Sequence, residues 1–298
     1  MVTRPGTPFD AFIAPARARP QMWRLILGSV LAIGVYLGLF AAAAALVVLH
    51  YGVFAAGILT ALVKGIGPGG VLMLLCSFAG LAAGAVISAR LLHGRRAGTL
   101  FGAALRPVAA DLLRAVGAAG AVGGGAALLW VLPAGDAAAN PGRAALWLFY
   151  PFAALALLVQ VTAEEMVFRG YLMQQLAARF APRAVWMGIP AALFALAHYA
   201  PETYGAAAWA VVAWAGLFGI LAADLTVRTG NLGAAIGFHF ANNALSLFVV
   251  GARGNMDALA LWSVPFESGS LSGALPMLAA DALAIVIAWL AVRLALRV

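Results

Sequence analysis

Apolar positions in this chain run in unbroken blocks, without the narrow stripe of a surface helix or the alternation of a half-buried strand. Residues 25–49 carry no charge at all, more than the roughly 20 apolar residues that a helix needs to cross a bilayer. Similar blocks cover residues 71–88, 115–132 (closed by Pro133), 144–176, 184–200, 206–227, 232–250 and 275–296. The pattern predicts an all-α, polytopic membrane protein with about eight transmembrane helices. Residues 51–66 are interrupted by Lys64 and run into Gly65-Ile66-Gly67-Pro68, which breaks a helix and marks a re-entrant or interfacial piece. Residues 97–113, with Arg106, Asp111 and the following Arg114, read as a cytoplasmic surface helix. Residues 1–23 are rich in Pro and Arg without helical periodicity, and are expected to be a disordered cytoplasmic tail. The apolar run after them is too long for a cleaved leader, so it is read as a retained first span. The chain then divides into this tail, N-terminal membrane helices over 24–143, a core over 144–250, and an outer loop with a C-terminal helix over 251–298.

Composition agrees with a multi-pass membrane protein. The chain is 65% hydrophobic and 9% charged, against about 25% charged in soluble domains. A net charge of +8 raises nucleic acid as a partner, but the basic residues flank apolar blocks and form no patch on a soluble surface, so no nucleic-acid partner is expected. Loops rich in Lys and Arg stay cytoplasmic. An even span count with both termini inside puts every basic residue except Lys64, Arg143 and Arg253 on the inner side. The expected location is the cell (inner) membrane, with the lipid bilayer as a partner. Cys76 is the single cysteine, which excludes an intramolecular disulfide and a multi-cysteine metal site.

Against this background three polar insertions stand out. Val161-Thr162-Ala163-Glu164-Glu165-Met166-Val167-Phe168-Arg169 places two adjacent carboxylates and a guanidinium in an apolar block, in a chain with only 10 acidic residues. On a helix Glu165 and Arg169 lie about 40° apart and can pair across one turn, while Glu164 points about 100° away. Phe194 and His198 are also four apart, as are His239 and Asn243. Unpaired, each of these groups would cost several kcal/mol in hydrocarbon, and ionisable residues inside spans mark functional sites. Hydrolysis of an amide within the membrane needs such a set. Glu164 is the candidate base that takes a proton from water, and His198 holds that water and protonates the leaving amine. His239 and the Asn243 amide stabilise the oxyanion, and the Glu165–Arg169 ion pair is structural. HExxH is absent. Glu164, His198 and His239 also make up a three-ligand set for a divalent metal, zinc by its donors, so a metal-dependent route stands beside the glutamate-dependent one.

Glu164-Glu165-x-x-x-Arg169, Phe194-x-x-x-His198 and His239-x-x-x-Asn243, in this order, resemble the three motifs of the CPBP family of intramembrane proteases, also called the CAAX-prenyl-protease-2 or ABI family. The resemblance spans residues 144–250. It implies an eight-helix membrane fold, a hydrophilic cavity facing the cytosol, Glu164 with His198 as the water-activating pair, and His239 with Asn243 as the oxyanion site. Eukaryotic members act on prenylated CAAX proteins. The Ala-, Gly- and Arg-rich composition points to a high-GC bacterium, where that substrate is not expected, and a membrane-associated protein or peptide takes its place. Some bacterial relatives are linked to bacteriocin immunity or to binding other membrane proteins, which keeps a non-catalytic alternative open.

Overall fold

The computed structural model describes residues 6–131, 135–254, 256–267 and 269–298. Pro133, expected to close the third span, lies outside them. The chain is almost entirely helical: α1 (Pro8–Ile13), α2 (Met22–Tyr51), α3 (Ala55–Lys64), α4 (Gly67–Ser77), α5 (Ala79–His93), α6 (Leu105–Ala126), α7 (Arg143–Leu146), α8 (Tyr150–Glu165), α9 (Gln174–Arg179), α10 (Ile189–Leu196), α11 (Pro201–Tyr204), α12 (Ala208–Thr229), α13 (Gly233–Ala244) and α14 (Leu271–Leu296). Three two- or three-residue strands, β1 (Ala138–Ala139), β2 (Val250–Ala252) and β3 (Trp262–Val264), form a small sheet in the order β1-β3-β2. β1 runs antiparallel to β3 and β2 parallel to it. The sheet joins the chain before α8 to the chain after α13, and the Tyr150 hydroxyl ties the start of α8 to Leu259 O at 3.2 Å.

Six helical stretches among the described residues are long and apolar enough to cross a membrane: Met22–Lys64, Gly67–His93, Pro107–Leu129, Tyr150–Arg179, Pro201–Thr229 and Leu271–Leu296. The protein is an all-α polytopic membrane protein. Two of the eight expected spans fall on shorter helices, Ala184–Leu196 and α13 with its continuation to Val249. The helix break expected at Gly65 is present, with Gly65 at φ +61° capping α3.

Two expectations need correction. Residues 8–18 form α1 and a following 3-10 turn, and Phe9, Phe12, Ile13 and Ala16 are buried, with Phe9 stacked on Trp186 at 4.8 Å. Enough apolar area is concentrated in this one turn and a half to offset the ordering entropy, which the Pro- and Arg-rich average concealed. The second concerns residues 97–113: no surface helix precedes the third span, because α6 runs unbroken from Leu105 to Ala126. Its backbone lies directly against α13, since a Cβ added at Gly233 would fall 2.1 Å from Val108 O and one at Gly237 2.3 Å from Leu112 O. Two glycines four apart permit this approach in a membrane, where close van der Waals packing holds helices together. Asp111 adds a polar tie by accepting from Asn231 Nδ2 at 2.8 Å.

A buried polar network closes the end of the bundle where α2 begins. His93 Nδ1 meets Arg19 O at 3.0 Å and its Nε2 meets the Tyr171 hydroxyl at 2.9 Å. Arg95 binds Thr99 O at 3.1 Å and the Gln174 side chain. Burial lowers the Arg95 guanidinium to about 10, the direction expected when a charge leaves water.

Candidate functional site

The carboxylates sit midway along the continuous stretch Tyr150–Arg179, about 22 Å of helix from either end. Directly after Glu165 the helix widens into π geometry over Met166–Met173 before α9 resumes. Such insertions recur at functional sites. Gly170 lets this segment press against the neighbouring backbone, as a Cβ there would lie 2.7 Å from Leu100 O.

Glu165 and Arg169 pair at 2.9 Å, both essentially without solvent exposure. Arg169 Nη2 also donates to Gly219 O on α12 at 3.1 Å, and the guanidinium lies over the Phe194 ring at 4.8 Å. The same Glu165 Oε1 is 2.8 Å from His239 Nδ1 on α13, so one carboxylate oxygen orients both a cation and an imidazole. With Nδ1 donating to Glu165, the imidazole is fixed and its Nε2 is presented towards Glu164, whose Oε2 is 3.7 Å away. Glu164 Oε2 is buried and makes no hydrogen bond. A buried oxygen left without a partner costs free energy, and 3.7 Å leaves the Glu164–His239 contact longer than a hydrogen bond.

Aromatic rings wall this cluster. Phe194 meets His239 edge-on at 5.9 Å, and Phe218 packs against the His239 ring at 4.9 Å. His198 lies in the turn just beyond α10 rather than within the expected span, since Pro201 biases Ala200 away from helical backbone and Ala200 adopts φ −137°. Its Nδ1 is tied to Phe194 O at 2.8 Å and its ring lies 4.6 Å from that of Phe194. Among the described residues no hydrogen bond or ion pair joins His198 directly to Glu164; the Phe194 ring contacts both the His198 and the His239 rings. His198 Nε2 is left for other partners in a half-buried position.

Asn243 sits one turn beyond His239 and its Nδ2 donates to Gln160 Oε1 at 3.4 Å. Gln160 is not among the residues that the sequence motifs single out, although a glutamine in an apolar block is itself a signal. The cavity of about 30 Å³ that Asn242 and Asp281 help to line is formed by α6, α13 and α14, and not by the carboxylates.

Among the described residues no three His, Cys, Asp or Glu side chains converge as a metal-holding group. His239 ties its Nδ1 to Glu165 and His198 its Nδ1 to Phe194 O, which leaves the Nε2 of each ring as the nitrogen open to another partner. Glu164, His198 and His239 do not form a three-ligand group in this arrangement.

Residues 146–245 match the family model described as Type II CAAX prenyl endopeptidase Rce1-like. The uncharacterized protein YyaK of Bacillus subtilis (strain 168) is 35% identical over 108 residues. These make up 35% of this chain and 35% of that protein, so the chain spans about a third of the curated relative that it matches. No solved structure matches. All seven residues of the three polar motifs fall inside the matched stretch, which is similar to the Rce1-like type II CAAX prenyl endopeptidases.

Proposed function

We propose that the protein is an intramembrane endopeptidase that hydrolyses a peptide bond of a membrane-associated protein or peptide with water activated by Glu164 and His198. The observation that carries this reading is the unpartnered, buried Oε2 of Glu164, facing an imidazole that Glu165 and Arg169 lock in place. The similarity of residues 146–245 to Rce1-like endopeptidases supports it.

In the proposed reaction Glu164 removes a proton from water as its oxygen attacks the scissile carbonyl carbon. The carbonyl π bond opens to an oxyanion, which accepts from His239 Nε2–H and an Asn243 Nδ2–H. Collapse of this intermediate re-forms the carbonyl and breaks the C–N bond. The proton taken by Glu164 passes through His198 Nε2 to the departing nitrogen, which leaves as a neutral amine and restores both side chains. Phe194 and Phe218 keep the cluster in a low-dielectric setting, where each of these charge interactions gains strength.

The substrate is a membrane-associated segment because the carboxylates lie midway along a membrane-length helix, beyond the reach of a soluble loop. The concentration of basic residues in one set of loops supports cytoplasmic termini in a cell membrane. Glu164→Ala and His198→Ala, each reconstituted in liposomes with a membrane peptide that the wild type cleaves, are expected to lose cleavage while keeping expression and melting temperature. Normal turnover by the Glu164→Ala protein overturns the proposal.

A further inference from the structure

We infer that Gln160 is a positioning residue for Asn243 and fixes which of its amide hydrogens is offered to the oxyanion; this rests on the proteolytic reading above. Gln160 lies one turn before Glu164 on α8 and is 7% exposed. It follows the apolar run Leu157-Leu158-Val159, where an unpaired amide would be costly. Its Oε1 accepts from Asn243 Nδ2 at 3.4 Å. At the other end of the same amide, Asn243 Oδ1 accepts from Asn242 Nδ2 at 3.1 Å. The three side chains thus form a head-to-tail run of amides from Asn242 through Asn243 to Gln160.

A primary amide has one carbonyl oxygen and two N–H donors. Asn243 commits its oxygen to Asn242 and one N–H to Gln160, so its plane is held at both ends and one N–H remains. That remaining hydrogen is the donor that the oxyanion needs. An oxyanion donor acts only if its direction is set before the charge develops, and Asn243 follows His239 by one turn on the same helix. Gln160 carries the only side-chain amide on α8, so no other residue of that helix can hold Asn243 in the same way.

The test uses the full chain in liposomes with a membrane peptide that the wild type cleaves, and reads kcat, KM and melting temperature for Gln160→Met, Asn243→Ala and the double variant. Methionine keeps the side-chain length and cannot accept as the amide does. Gln160→Met is expected to lower kcat about 10-fold, less than the 10²- to 10³-fold of deleting an oxyanion donor, with KM and melting temperature unchanged. In the Asn243→Ala background the same substitution changes kcat by less than about twofold, because a residue that acts through Asn243 has nothing left to orient. Asn242→Ala removes the other anchor at a less buried position and is expected to behave in the same way, which keeps the test open if Gln160→Met fails to fold. Wild-type kcat in Gln160→Met, or losses that multiply in the double variant, overturns the inference while Glu164→Ala remains inactive. An active Glu164→Ala protein instead brings down the proteolytic reading and this inference with it.

Discussion

α2 and the pair α8/α13 all come from apolar blocks of the sequence, yet they occupy opposite roles. In the stretch Met22–Lys64 only 6% of the most apolar window is buried within the protein, against 44% in Tyr150–Arg179. α2 buries only Leu25, Gly28 and Ala32 of its 30 residues, whereas eight of the twelve residues of α13 are buried. Hydropathy reports that a segment leaves water and does not distinguish lipid from protein as its destination. Polar residues do distinguish them, because a carboxylate or imidazole is stable there only with partners on a neighbouring helix.

The comparison sharpens most at Arg169. Arg169→Ala leaves Glu165 as a buried charge without its cation, a change that costs about 3–5 kcal/mol, and thermal melting in detergent should record it. The double replacement Glu165→Gln with Arg169→Met strands neither partner and should recover much of that loss. The glutamine introduced there keeps an acceptor for His239 Nδ1, so partial cleavage is also expected. Unchanged melting of Arg169→Ala would remove the ion pair from the account.

Glycines give a smaller effect and a matched control. Gly237→Ala places a methyl where Leu112 O lies 2.3 Å away, and overpacking of this kind costs about 1–3 kcal/mol. Gly38 on α2 has nothing within 4 Å of the same position, so Gly38→Ala should shift stability by no more than about 0.5 kcal/mol downward, or raise it through helix propensity. Equal melting of the two variants would erase the distinction between the inner and the lipid-facing helices.

Much of this was legible in the sequence, for reasons that differ by feature. Unbroken apolar blocks can do little except leave water, so the all-α polytopic fold followed from them. The Glu165–Arg169 pair followed from spacing alone, because residues four apart on a helix are neighbours. Long-range convergence was harder to read: nothing local says that His239 Nδ1 turns to Glu165 while its Nε2 faces Glu164, or that Gln160 meets Asn243. The π segment after Glu165 also has no simple sequence signature. The ordering of residues 8–18 was hidden by averaging, since Phe9, Phe12 and Ile13 are a minority in a Pro- and Arg-rich stretch. The joining of residues 105–126 into one helix was masked by Asp111 and Arg114, charges that α6 carries beside its contact with Gly233 and Gly237.

The central claim is that two adjacent carboxylates divide the labour, Glu164 taking the proton of water and Glu165 holding Arg169 and His239. Glutamine at each position keeps the shape and removes the basicity, so Glu164→Gln and Glu165→Gln compared side by side in liposomes test it most directly. The account predicts a fall in kcat of about 10³-fold or more for Glu164→Gln with unchanged melting, the scale of removing an essential general base and the water it orients. Glu165→Gln should instead melt earlier and keep a measurable fraction of turnover. The reverse pattern, with Glu165→Gln inactive at full stability and Glu164→Gln turning over normally, would contradict the account.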